Sequence, residues 1–202
     1  MRTLLIGLVS GAAAVAAVSL LPDRASAQSP DALSDPEPVH EALHAALRSA
    51  ERSHLKRVGL WGLGNLAAGS VLALTTDRDH DPTRHGFGVQ IAGWGLVNTG
   101  LAGAGLAFGG RGDPPDSLGA ALRAESRWGQ ILVVNVGLNA GYMMAGGALL
   151  WAGSRGLDRG DELRGHASAV ILQGLGLLVL DGIAWLGHRD RMDQLAEATD
   201  RE

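Results

Sequence analysis

The chain has no cysteine. A disulfide, a thiolate nucleophile, a lipid-anchored cysteine, an iron–sulfur cluster and a cysteine zinc site are therefore excluded. Aromatics are scarce, at 4%, and Lys56 is the only lysine. A net charge of −4 supplies no basic field, and no segment interleaves cations with aromatics as a phosphate backbone or stacked bases require. Nucleic acid is not an expected partner. No G-x-x-x-x-G-K-[ST] loop and no G-x-S-x-G elbow occurs, and no nucleophile stands beside a convincing base. An enzyme is therefore not the expected class, and no cofactor is expected.

Charge is missing from long stretches. Val58–Thr76, Gly86–Gly110 and Trp128–Ser154 carry none, and Ala167–Gly187 carries only Asp181. A soluble helix needs a solvated face, and these have none. Each is about the length that a helix rising ~1.5 Å per residue needs to cross ~30 Å of hydrocarbon. The expected fold is all-α: a four-helix transmembrane bundle whose lipid-facing surface meets the bilayer. Trp61, Trp128, Trp151 and Trp185 stand near span ends, where the indole favours the headgroup region. The links, 77–85, 111–127 and 155–166, are polar and rich in turn residues.

Ahead of the spans, Met1–Ala27 reads as a cleaved signal peptide, with Arg2, an apolar run from Leu4 to Leu21 and Ala25-Ser26-Ala27 as the cleavage site. Residues 28–57 follow as a polar segment. Within it Val39, Leu43, Ala46, Leu47 and Ala50 form an apolar stripe opposite His40, His44, Arg48 and Glu51, the pattern of a short interfacial amphipathic helix. Residues 58–187 make the membrane domain and 188–202 a polar tail. Export followed by four spans puts both termini outside. Ten cations then lie outside against five inside, which the positive-inside tendency opposes. The outer segments are longer and the inner loops denser in cations, so the signal carries more weight.

Twenty-three of the thirty glycines fall inside the spans. Each would weaken a soluble helix by about 1 kcal/mol against Ala. In lipid, small residues four apart instead allow close backbone approach. Gly95, Thr99 and Gly103 form such a ridge in the second span, and Gly137, Gly141 and Ala145 another in the third. Packing with a second copy or with partner spans is expected from these ridges.

Each span also draws a polar stripe at helical spacing. Asn65 follows Trp61, Gln90 leads to Trp94 and Asn98, Asn135 to Asn139 with Tyr142 beyond, and Gln173 through Leu177 to Asp181 and Trp185. Amides and an acid facing lipid are expensive, so the stripes are expected to turn inward. They glue the helices together, or they line a ligand or ion path with Asp181 as a proton relay.

Three other patterns look like chemistry. His40-Glu41-Ala42-Leu43-His44 matches H-E-x-x-H but lacks a third ligand, and the amphipathic stripe explains it; no metal site is expected. Asp77-Arg78-Asp79-His80-Asp81 opens like a calcium loop but lacks the Gly and distal Glu of an EF-hand, so a solvated hairpin is expected. His54, His85, His166 and His188 lie near span ends, outside the depth that a haem ligand pair needs.

Trp61-Gly62-Leu63-Gly64-Asn65 returns as Trp94-Gly95-Leu96-Val97-Asn98, the third span is Asn-rich with Tyr142, and Gln173-Gly174 precedes Leu180-Asp181. With these motifs the chain resembles an uncharacterised family of small bacterial four-span integral membrane proteins, over roughly Leu55 to His188. The resemblance implies a multi-pass protein of the bacterial cytoplasmic membrane and brings no activity, cofactor or catalytic residue. The expected role is a structural or accessory membrane component; the alternative is a small transporter or proton-linked carrier using Asp181 and the Asn/Gln stripe.

Overall fold

The computed structural model describes residues 36–109 and 114–199. The expected signal peptide, the rest of the segment before Pro36 and the last three residues lie outside that range. Four helices account for almost everything described: α1 Pro36–Thr75, α2 Pro82–Phe108, α3 Leu118–Gly153 and α4 Gly160–Thr199. Each contains a stretch long and apolar enough to cross a membrane. The molecule is a multi-pass membrane protein, and among the described residues it is all-α with four helices.

The helix ends follow local chemistry. Asp77 ends the α1 turn by accepting the backbone N–H groups of Asp79 and His80 at 2.8 and 3.1 Å. Asp81 then caps α2, accepting from the Arg84 N–H at 3.2 Å, and Pro82 opens the helix where its missing N–H is not needed. The segment 77–81 is thus a turn and a cap. Ser117 caps α3 by accepting from Ala120 N–H at 3.3 Å.

Three helices run further than the apolar stretches. α1 has 40 residues, α3 36 and α4 40, so at ~1.5 Å per residue each exceeds ~30 Å of hydrocarbon. The segment expected to lie separately on the membrane is continuous with the first span. No Gly or Pro interrupts residues 39–58, and Leu47 has a place to bury: it packs with Trp128 and Leu132, against Ala124, Ala184 and Trp185. Likewise the first ten residues of α3 and the tail through Thr199 are helical, so the protein extends as packed helices beyond the spans at the end that carries both described termini.

α1 packs along α2, α3 along α4, and the two hairpins meet through α2 and α4, with lighter contact of α1 on α3 and α4. Glycines make the seams. A Cβ on Gly62 would fall 2.7 Å from the Thr99 backbone N, one on Gly88 2.6 Å from that of Ala73, one on Gly86 2.6 Å from the Glu162 carbonyl, and one on Gly174 2.8 Å from the Asn139 carbonyl. Only glycine lets these backbones approach so closely. α2 and α3 do not approach each other; the rings of Trp94 and Tyr142, 5.0 Å between centroids, fill that gap. Large apolar side chains point outward, among them Leu74 at 87% exposure and Met144 at 72%. Outward Leu and Met with inward amides is the distribution that a lipid solvent selects.

A polar ladder through the bundle

One face of α4 presents a polar side chain at Glu162, His166, Gln173, Asp181 and His188. The steps of four, seven, eight and seven residues keep them on a common stripe, with neighbouring rungs about 6–12 Å apart along the axis. Each rung is held by side chains from outside α4, which makes a ladder of five levels.

At the end that carries the two short links, Glu162 is gripped by Arg159 at 2.7 Å and by Arg78 from the α1–α2 link at 3.1 Å. Arg159 has φ 62, a left-handed backbone that turns its guanidinium onto this carboxylate. One level in, Nδ1 of His166 lies 3.1 Å from Oε1 of Gln90. In the middle, Oε1 of Gln173 accepts from the Trp61 indole N–H at 3.0 Å and from the Asn98 amide at 3.2 Å. Trp61, expected at the headgroup level, turns inward because Gly176 leaves room beneath its ring.

Above Gln173, Asp181 is held at both oxygens. The Asn139 amide donates to Oδ2 at 2.6 Å, and Nε2 of His54 lies 3.2 Å from Oδ1. Asp181 is 4% exposed, and the His54 ring meets Trp128 edge-on at 5.6 Å between centroids. At the terminus end Nδ1 of His188 lies 2.6 Å from Oε1 of Glu125, and Arg191 grips the same carboxylate through Nε and Nη2 at 3.1 and 2.8 Å. Gly129, one turn from Glu125, leaves the slot that His188 occupies. An Arg–carboxylate fork of this kind is both strong and directional.

The residues singled out from sequence divide clearly. Asn98, Asn139, Gln173 and Asp181 form rungs, Gln90 joins one through His166, and Tyr142 touches Trp94. Asn65 is buried with its Nδ2 unpartnered. Asn135 is half-buried one turn before Asn139 and joins no rung. Gly95 and Thr99 lie in the α1–α2 seam, whereas Gly103, Gly137 and Gly141 face open space and Ala145 is exposed. Among the described residues the third-span ridge therefore meets no neighbour, because α3 turns Gly146 and Gly129 toward α4 instead.

The sequence does not single out Glu125, Glu162 or Arg191, and it shows His54, His166 and His188 only as histidines near span ends. The spacing of His166, Gln173, Asp181 and His188 was the available signal. Glu125 could not be found that way, since it lies in what reads as a link. Among the described residues no three His, Asp or Glu side chains are grouped to hold a metal ion.

Chemically, the ladder offers a titratable pair inside an otherwise apolar span. His54 with Asp181 carries one net negative charge when the imidazole is neutral and the carboxyl ionised. One added proton cancels it, whether the imidazole or the carboxyl takes it. Several ring and amide nitrogens nearby have no partner: Nδ1 of His54, Nε1 of Trp128, Nδ2 of Asn65, Nε1 of Trp94 and Nε2 of Gln173.

Residues 57–182 match a family of unknown function, DUF6992. That segment takes in the rungs from Gln90 to Asp181 and leaves His54, His188 and Arg191 outside it. No curated protein and no solved structure matches.

Proposed function

We propose, for a chain that belongs to this family of unknown function, that the bundle is the core of a small proton-linked carrier, with the His54–Asp181 pair taking and releasing the proton one rung above the middle of the ladder. One observation carries the reading: a nearly fully buried carboxylate stands among apolar helices, with an imidazole on one oxygen and an amide on the other. Glue alone does not need it. Amide contacts such as Asn98 with Gln173 hold helices together, whereas an ionisable group in a span is costly and marks ion or proton paths.

The assay is proton movement into proteoliposomes carrying the full chain, read by an entrapped pH dye under an imposed gradient. Asp181→Asn keeps the shape and an acceptor for Asn139 but cannot titrate, so the rate is expected to fall at least tenfold, to that of empty vesicles. His54→Gln is expected to do the same. A rate that ignores both substitutions removes the relay.

A second reading, a structural or accessory component packing with itself or with partner spans, is favoured by the α3 ridge of Gly137, Gly141 and Ala145, which no helix among the described residues covers. A second copy is the occupant we assign to it, and self-association of the full chain in a bilayer tests it. Under both readings the protein sits in a bacterial cytoplasmic membrane with both termini outside, reached through a cleaved signal; the signal-like residues 1–27 and the resemblance support that placement.

A further inference from the structure

The middle of the ladder leaves several buried hydrogen-bond donors without a partner. Oε1 of Gln173 takes both the Trp61 indole and the Asn98 amide, which leaves Nε2 of Gln173 with nothing to bond. One turn along α1 from Trp61, Nδ2 of Asn65 is also unpartnered; one turn along α2 from Asn98, Nε1 of Trp94 is too. Gln173 is 2% exposed and Asn65 6%. Three nitrogens from three helices thus lie within about one turn of a single level, and the Thr99 hydroxyl beside Asn98, which can donate as well, is also buried without a partner. A buried donor left unmade is costly, and it marks where a partner binds.

We infer that this amide and indole cluster binds a small monocarboxylate, taken up together with one proton on the His54–Asp181 pair; the inference rests on the proton-linked reading and names its cargo. A carboxylate has two acceptor oxygens and no donor, the complement of the unpartnered nitrogens. Water would bring as many donors as acceptors. The cluster contains no cation, so a lone anion entering it faces a large desolvation cost. Asp181, eight residues or about 12 Å further along α4, supplies the remedy. A proton accepted there as the anion enters leaves the occupied bundle with no added charge. Anions of higher charge, such as phosphate, do not meet that balance.

The test uses the full chain in detergent at fixed pH and ionic strength, with acetate as the probe and chloride as the control. Trp61 and Trp94 belong to the cluster, so tryptophan fluorescence reports binding, and a dye in weakly buffered solution reports proton uptake. Acetate is expected to give a saturable fluorescence change with close to one proton taken up per acetate, and chloride neither. Trp94→Phe keeps a ring against Tyr142 and removes only the N–H; Asn65→Ala removes a second donor. Each is expected to weaken acetate binding at least fivefold, and Gln173→Leu to abolish it. Equal responses to acetate and chloride, or an acetate response indifferent to Trp94→Phe and Asn65→Ala, overturn the site. Asp181-dependent proton movement in vesicles without any acetate response also overturns it and leaves the relay standing. Acetate binding without Asp181-dependent proton uptake overturns the coupling and the relay together.

Discussion

One oxygen of Asp77 accepts two backbone N–H groups and lies 3.1 Å from Nδ1 of His80. The hydrogen bond to Asp77, and then its charge, hold the His80 imidazole above its ordinary pKa; the bond from His80, and then those from the Asp79 and His80 backbone, hold Asp77 below its own. The signs fix a window. The Asp77 contribution to the turn is complete above the ordinary carboxylate value and is lost as pH falls through its lowered one; the His80 contribution is complete below the ordinary histidine value and is lost as pH rises through its raised one, so the pair supports the turn fully only between the two ordinary values. Ring NMR of His80 is expected to give a midpoint above that of an unperturbed histidine, and Asp77→Asn to return it toward the ordinary value. An unmoved midpoint in the variant would show that the ring is held otherwise. The sequence showed the charges at 77–81 and the absence of an EF-hand pattern; that one carboxylate serves as a turn-former needed backbone coordinates.

At the scale of the helix, the seams are built from a minority of the many glycines. Gly62 lies against the Thr99 backbone, and an added Cβ would sit 2.7 Å from its N and its Oγ. Gly103, on the partner helix, meets nothing. Valine at either site brings the same small change in helix propensity, so the pair isolates packing. Gly62→Val is expected to destabilise the bundle by about 1–3 kcal/mol through overpacking, and Gly103→Val not at all, since Val is a slightly better helix former than Gly. Thermal unfolding in one detergent compares them, and equal shifts would refute the seam. The existence of small-residue ridges was legible from the period of four. Which ridge faces a helix was not, because 23 span glycines place small residues on several faces, and the rotation of each helix is set by its neighbours.

For the whole molecule, the chain's lack of cysteine makes self-association directly testable. A single cysteine at Ala145, on the uncovered α3 ridge, is expected to give an oxidative dimer in membranes, whereas one at Gly174, packed against the Asn139 carbonyl at 2.8 Å inside the chain, is expected to give none. Equal yields from both positions, or none from Ala145, would remove the second copy. The ladder belongs to this scale too. Its five rungs lie on α4, yet their partners come from α1, α2, α3 and both short links, so every rung is a tertiary contact. Asn98, Asn139, Gln173 and Asp181 were readable as inward because hydrocarbon leaves them no other direction.

Sequence alone determined the solvent and the architecture: four stretches of membrane length, three uncharged and one carrying only Asp181, polar links between them, and amides and one acid turned from lipid. Those are local properties, and the scarcity of charge enforces them whatever the helices do next. Only the tertiary structure decided which polar groups meet. His54 and Asp181 are far apart in the chain, and Glu125 and His188 come from a segment read as a link and from the edge of the last span. Such pairs depend on helix register and rotation, which close glycine seams fix and which no single helical period contains.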